Sequence, residues 1–307
     1  KYLYLSRLYD DKDICLSIAT TMSCNLRCPY CFEEGNKSLE FMSDIVADAI
    51  ITYLVAKRKH NIHITWFGGE PLLNFRVIER ISTALMENGI EYTSSIITNG
   101  TVLNEDKVKK LAKYSVSSIQ ITFDGTKELH DKKRFFPNGK GTFELILSNI
   151  GKALRLSDIN MILKVNLDKT NIGSYESLVK ELKQQFGEYI DSGRIQIDRN
   201  YIRNRNDFKG CENCMSDESY FERFYDKVHA INYISDHAGP CPFRSRTDFA
   251  IGPDGSIYKC LELLGNKSKA IGNIKHQKIS ISRQAGCALA YSPFDDEKCL
   301  HCSVLPI

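Results

Sequence analysis

Ile14-Cys-Leu-Ser-Ile-Ala-Thr-Thr-Met-Ser-Cys-Asn-Leu-Arg-Cys-Pro-Tyr-Cys-Phe32 begins as a short alternating run and opens directly into a loop with three cysteines. Cys24, Cys28 and Cys31 are spaced C-x3-C-x2-C. Three thiolates are one short of the four that close an iron–sulfur cluster. A four-iron cluster held this way keeps one iron open, and an open position is what separates a reactive metal centre from a structural one. A small molecule can chelate that iron through an amine and a carboxylate. A zinc knuckle would need a fourth Cys or His close by, yet the next histidine is His60. A disulfide with a spare thiol would suit a secreted chain, and nothing in the sequence points to export.

From this run to about Ile202, β-branched segments alternate with amphipathic ones, the pattern of repeated βα units on a parallel sheet. Strands are expected at Ile14–Thr20, Ile62–Phe67, Tyr92–Thr98, Ser118–Phe123, Ile159–Val165 and Ile195–Ile197. Helical spacing of apolar residues covers Ser43–Arg58, Phe75–Asn88, Glu105–Tyr114, Thr142–Arg155 and Ser174–Phe186. Ser43 with Asp44, and Asn104 with Glu105, read as helix starts. Six strands are too few for a closed eight-stranded barrel, so an α/β fold with a partial, open (β/α)6 TIM-like barrel is expected. In such sheets the reacting groups gather at the C-terminal strand ends. The informative residues fall there. The cysteine loop follows strand one, Gly68-Gly-Glu-Pro71 strand two, and Asn99-Gly100 strand three. Asp124-Gly125 follows strand four, Asn166 and Asp168 strand five, and Asp198-Arg-Asn200 strand six.

The C-x3-C-x-aromatic-C loop resembles that of the radical S-adenosylmethionine (radical SAM) enzymes. The resemblance implies a 4Fe-4S cluster on Cys24, Cys28 and Cys31, S-adenosylmethionine on the open iron, and Tyr30 against the adenine. Gly68, Gly69 and Glu70 resemble the family's GGEP motif, whose backbone and acidic side chain take the cofactor's ammonium. Read alone, the segment is a turn whose glycines let the backbone approach a ligand. Ile121-Thr-Phe-Asp-Gly125 resembles the family's strand-four ending, which makes Thr122 and Asp124 cofactor candidates; Asp-Gly is also the commonest of turns. His130-Asp131 to Arg134, then Gly139-Lys-Gly-Thr-Phe143, resembles a stretch of peptide- and protein-modifying members. Arg134 suits a carboxylate of cofactor or substrate, or else a structural ion pair. Thr98, Asn99, Gly100, Asn166 and Asp198 are further candidates for contact with cofactor or substrate, and each also suits satisfying buried backbone. Lys164 shares a strand face with Asn166. No residue is assigned as the catalytic acid or base.

Asn204 to Gly239 reads as a polar linker with Cys211 and Cys214, then a helix at about Glu218–Ile234. Beyond Cys241, Gly252-Pro-Asp-Gly255 signals a hairpin. Cys241, Gly255 and Cys260 in C-x13-G-x4-C, with Cys299-Leu-His-Cys302, resemble the opening ligands of a SPASM domain. That resemblance implies one or two auxiliary 4Fe-4S clusters, with the Gly255 turn setting Cys241 and Cys260 on adjacent strands; a zinc ribbon needs the same pairs. The family pattern places its next cysteine directly after Ile307, where the chain stops, and both ends read as cut. The expected organisation is a barrel over 1–202, a linker and helix over 203–240, and a cluster-binding tail over 241–307. Cys15 reads as a small buried hydrophobe, Cys287 has no partner at ligand spacing, and His301 is a bystander. Lys57-Arg-Lys-His60 reads as a solvated helix end.

Composition narrows the class. The chain has 307 residues, enough for one large α/β domain with an appendage. A net charge of +3 is small for this length and argues neither for a nucleic-acid surface nor for an acidic tail; no nucleic-acid partner is expected. No run of ~20 apolar residues suggests a membrane span, and no leader peptide is visible. Eleven cysteines, clustered at x2 spacings, favour metal over disulfides and a reducing cytoplasmic compartment. The family resemblance implies an enzyme that cleaves S-adenosylmethionine reductively, fed by a reductase, flavodoxin or ferredoxin. The resulting radical takes hydrogen from a substrate carbon. The leading expectation is a maturase that forms a cross-link or thioether in a ribosomally made peptide. The alternatives are an anaerobic sulfatase-maturating enzyme and a degenerate member that binds peptide without chemistry.

Overall fold

The computed structural model describes residues 12–31, 33, 38–202, 245, 247–276 and 278–279. Six strands, β1 (Asp13–Thr21), β2 (Asn61–Gly68), β3 (Tyr92–Thr98), β4 (Val116–Phe123), β5 (Asn160–Leu167) and β6 (Ile195–Tyr201), lie side by side in chain order, all parallel. Parallel neighbours need a crossover between them. The crossovers are α1 (Asp44–Ala56), α2 (Phe75–Glu87), α3 (Glu105–Lys113), the pair α4 (Lys127–Lys133) and α5 (Phe143–Leu156), and α6 (Tyr175–Asp191). This is the open (β/α)6 partial barrel.

Alternation along each strand divides its two faces. Ile14, Leu16 and Ile18 on β1, Ile62, Ile64 and Trp66 on β2, and Ile119, Ile121 and Phe123 on β4 join the helices in one buried core. Each such side chain contributes about 1.5–3 kcal/mol by leaving water. The opposite, concave face is more polar and only half-buried, with Ser17, Thr65, Ser95, Gln120, Thr122, Lys164 and Asn166.

Two boundaries differ from expectation. β5 and β6 continue pairing through Asn166↔Asn200 and Leu167↔Tyr201. Asn166, Asp198 and Asn200 therefore lie inside strands and not in the loops after them. Helix α4 has no sequence signal, because Lys-Glu-Leu-His-Asp-Lys-Lys offers no apolar stripe; its anchor is His130, which is fully buried. The Asn104 start stands, its side chain accepting from the Lys107 N–H at 2.9 Å. Ser43 occupies the corresponding position of α1 without a side-chain bond.

The described part of the tail joins the same sheet. β7 (Phe249–Ile251) pairs parallel to β1 on its free edge, and β8 (Ser256–Tyr258) folds back antiparallel to β7. β9 (Gly272–Asn273) and β10 (Lys278–Ile279) complete a ten-stranded sheet. The expected hairpin is present, with Gly255 at φ +86° and the Gly252 N–H donating to Ser256 O at 2.8 Å. Cys260 lies past β8, at the head of the 3-10 turn Leu261–Leu263, and not on the strand itself. Cys211, Cys214, Cys241, Cys287, Cys299, Cys302, His301 and the helix expected at 218–234 lie outside the described residues. Among the described residues no helix is long and apolar enough to cross a membrane.

Candidate active site

The cysteine loop leaves the C-terminal end of β1, and Cys24, Cys28 and Cys31 are unbridged and half-buried in it. Its shape comes from bonds within the loop and to two others, the loop after β3 and the one after α4. Asn25 donates to Thr101 Oγ1 at 2.9 Å and accepts from Asn99 Nδ2 at 2.8 Å. Arg27 donates its backbone N–H to Phe135 O at 2.9 Å, and its guanidinium to the carbonyls of Cys24 and Leu26. The Leu26 N–H and Asn99 Nδ2 approach Cys24 Sγ at 3.4 and 3.7 Å. Burial pushes the Cys24 thiol up from its ordinary value. Such a thiol gives up its proton most readily to a cationic metal centre.

The Gly-Gly-Glu-Pro segment sits directly against this loop. A bulge between Ala19 and Thr21 brings Thr21 opposite Gly68. A Cβ on Gly68 would meet Thr21 O at 2.1 Å, and one on Gly69 would meet Ser23 O at 2.5 Å and Met22 O at 2.7 Å. The Gly69 and Glu70 N–H groups donate to Thr21 O at 3.0 Å and Ser23 O at 2.9 Å. The paired glycines thus admit the cysteine loop to close contact with the end of β2. Glu70 is fully buried. Its Oε1 accepts from the Leu72 N–H at 3.0 Å and Thr98 Oγ1 at 2.7 Å, and its Oε2 from the Asn99 N–H at 2.7 Å. Burial raises its pKa against the pull of these donors. In this geometry Glu70 braces the end of β2 against that of β3, and Thr98 is spent on the same brace.

Across the mouth, residues far apart in sequence meet. Tyr30, half-buried with its hydroxyl turned inward, donates to Asp124 Oδ2 at 2.6 Å and accepts from Arg134 at 3.0 Å. Arg134 also lies 3.8 Å from Asp124 Oδ2. Burial pushes the Asp124 carboxyl up to about 6, against the opposing pull of Arg134 and Tyr30. Burial disfavours the Arg134 charge too, but Tyr30, Cys28 and Asp124 more than offset this and hold its pKa above the ordinary value. Asp124 Oδ1 and Arg134 Nε are buried without a hydrogen-bond partner. One unpaired acceptor and one unpaired donor, on two residues that both meet Tyr30, leave two binding valences for a small polar ligand with both kinds of group.

The remaining candidates frame this centre. Thr122, Lys164 and Asp198 share one row of the concave face. Asn166 Oδ1 accepts from Asn200 Nδ2 at 2.8 Å. Asp168 is held well inside its loop by Lys133 Nζ at 2.6 Å. Asn171, which carries no sequence signal, ties the strand ends by donating to Asp124 O at 3.0 Å and Asn166 O at 2.8 Å. Asn25 was also missed, although its place inside the cysteine motif was a usable clue. A separate cavity of about 360 Å³ lies between β1, α1 and the β7–β8 hairpin, lined by Leu16, Tyr53, Phe249 and Ile257, away from these residues.

The donor set suits a cluster better than a lone ion. Among the described residues no group of three or more His, Cys, Asp and Glu side chains closes around a single metal ion. Thiolates at separate corners of a 4Fe-4S cube need not converge on one point, and Cys24, Cys28 and Cys31, unbridged and half-buried in one hydrogen-bonded loop, fit three of its four corners.

Comparison with known proteins agrees. The Radical SAM superfamily profile matches residues 18–182, more than half of the chain. The Cysteine-type anaerobic sulfatase-maturating enzyme of Clostridium novyi is 28% identical over 93% of this chain and 83% of its own length. The sporulation killing factor maturation protein SkfB of Bacillus subtilis is 24% identical over 55% of this chain and 39% of its own. Among solved structures, anSMEcpe with bound AdoMet and Cp18Cys peptide superposes with TM-score 0.68 at 19% identity, covering 95% of this chain and 86% of that one. Streptococcus suis SuiB bound to precursor peptide SuiA gives TM-score 0.66 at 16% identity, over 100% and 73% of the two chains. At these identities the two structures speak for the fold. With the three-cysteine loop at the head of a (β/α)6 barrel and the profile match over most of that barrel, this chain belongs to the radical SAM superfamily, enzymes that work with a 4Fe-4S cluster and S-adenosylmethionine.

Proposed function

We propose that the protein modifies a side chain of a peptide or protein by hydrogen abstraction, with Cys24, Cys28 and Cys31 as the ligands of its cluster. The cluster, when bound, supplies the electron for reductive cleavage of S-adenosylmethionine, the source of the abstracting radical. The observation that carries the reading is that Tyr30, inside the cysteine loop, meets Asp124 and Arg134 at one end of the barrel. Arg134 offers an unpaired Nε to the cofactor's carboxylate or hydroxyl groups, and Asp124 Oδ1 accepts from an N–H or O–H. Gly68, Gly69 and Glu70 act by fastening the cysteine loop, and the polar row Thr122, Lys164 and Asp198, with Asn166 above it, faces the substrate side. An electron donor of the flavodoxin or ferredoxin kind completes the cycle. Cys241, Cys260, Cys299 and Cys302 are proposed as ligands of auxiliary clusters in a tail domain over 241–307.

For the substrate, a cross-link or thioether in a ribosomally made peptide is the first reading, supported by the partial similarity to the maturation protein SkfB. The second, oxidation of a cysteine or serine in a sulfatase, is supported by similarity to a sulfatase-maturating enzyme along nearly the whole chain. Anaerobic reconstitution, iron and sulfide counting, and an assay for 5′-deoxyadenosine test the common step. Cys28→Ala is expected to abolish nucleoside release; persistent release overturns the ligand assignment. Fragmentation mass spectrometry of the product then separates the two substrates. Loss of two hydrogens with two residues joined supports the peptide maturase, and a change confined to one residue supports the other.

A further inference from the structure

We propose that His130 is a positioning residue, a neutral imidazole protonated on Nε2 that fixes the Asp124 backbone on one side and the Arg134 carbonyl, through Thr142, on the other. The proposal rests on the reading of Asp124 and Arg134 as cofactor-facing and assigns what holds them there.

The tautomer follows from hydrogen counting. Thr142 Oγ1 donates to Arg134 O at 2.8 Å, which uses its one proton. The same oxygen lies 3.0 Å from His130 Nε2, so it accepts there and Nε2 carries the hydrogen. At the other side of the ring the Asp124 N–H points at Nδ1 from 3.4 Å, which requires Nδ1 to be the acceptor. Both contacts demand one tautomer, and a doubly protonated ring would set two donors against each other. Burial, and secondarily the Arg134 charge, keep the ring neutral by lowering its pKa well below the usual histidine value.

The ring has no room to turn. It is fully buried, with its centroid 5.4 Å from those of both Phe123 and Phe143, which themselves sit 5.6 Å apart edge-on. Thr142 is fixed in turn by Asp131, whose Oδ1 accepts from the Thr142 N–H at 2.7 Å and the Phe143 N–H at 2.9 Å. A Cβ at Gly141 would strike that carboxylate at 2.1 Å, so glycine alone lets the turn close on Asp131. The Arg134 N–H donates to His130 O at 2.7 Å, which ends helix α4 where the arginine must depart toward Tyr30. The spacing of His130, Asp131, Arg134, Gly141, Thr142 and Phe143 is thereby accounted for as one clamp. Its output is the placement of one carboxylate and one guanidinium.

Two substitutions separate positioning from mere filling, measured in the cluster-reconstituted full chain. His130→Phe keeps the ring and its packing but removes both polar contacts. His130→Asn loses the ring and returns an acceptor close to the Nδ1 position. The expected result is a rise of about tenfold in the Kd for S-adenosylmethionine in the Phe variant, with iron content near wild type and a melting temperature lowered by only about 2–4 °C. The Asn variant should melt lower yet bind within about threefold of wild type. If affinity instead follows melting temperature, with Asn the worse binder, His130 only fills space and the proposal falls. NMR of ¹⁵N-histidine-labelled protein should show His130 protonated on Nε2 alone between about pH 6 and 8; an Nδ1-protonated or cationic ring overturns the assignment directly. Asp124→Asn and Arg134→Gln serve as the separate control. Unchanged cofactor affinity in both refutes the cofactor-facing reading, whatever the histidine spectrum shows.

Discussion

Replacing Glu70 distinguishes a brace from a ligand. Its carboxylate takes three internal donors, the Leu72 N–H, the Thr98 hydroxyl and the Asn99 N–H, at 2.7–3.0 Å. Glu70→Gln keeps the shape, but either orientation of the amide turns its NH₂ toward at least one backbone N–H. One charge-assisted bond is lost and one buried donor stranded, which costs about 1–3 kcal/mol. Glu70→Ala strands all three donors and leaves a small void, for a cost of about 3–6 kcal/mol. Against a typical domain stability of about 5–15 kcal/mol the alanine variant stands near the threshold of folding. The assay is urea denaturation of the reconstituted protein, followed by calorimetric binding of S-adenosylmethionine. On the brace reading the Gln variant loses stability, and its binding falls only as far as the cysteine loop loosens. A Gln variant as stable as wild type that has lost cofactor binding by orders of magnitude would refute this reasoning and return the carboxylate to the cofactor's ammonium.

Gly69→Ala places a methyl group 2.5 Å from Ser23 O, so the loop must shift; a cost of about 1–3 kcal/mol and lower iron retention are expected, read by iron analysis and melting temperature. Asp124 supplies a pH signature. Its carboxyl is raised from 3.8 to about 6 by burial, so between about pH 4 and 6 the folded chain holds a proton that the unfolded chain has released, and stability falls as pH rises through that window. The integrated loss is about 3 kcal/mol, and Asp124→Asn should flatten it in denaturation curves taken at both ends of the window. Asp131→Ala removes the acceptor for two N–H groups at the start of α5 and should cost about 1–3 kcal/mol in thermal or urea unfolding, with partial recovery in Asp131→Asn.

The positions of the strands and of the cysteine loop were legible in the sequence because both are local. A run such as Tyr92–Thr98 alternates with the period of a pleated strand, and the structure returns those same bounds. Helix α4 was not legible, since its seven mostly charged residues carry no stripe and it depends on one histidine buried against Phe123 and Phe143. The joining of β7 to β1 was invisible for a different reason. Edge pairing depends on which surface a distant segment finds free, and Phe249 lies opposite Leu16 without any shared local pattern.

The sequence by itself determined a barrel of βα units with three thiols at the first strand end, because spacing and periodicity are properties of neighbouring residues. Only the tertiary structure decided where the charged groups point. It turned Glu70 inward to brace two strands, and it brought Tyr30 to Asp124 and Arg134 across separations of 94 and 104 residues. Those contacts arise from strand register, from the bulge opposite Gly68 and from the clamp around His130. Each is a long-range packing event with no local signature.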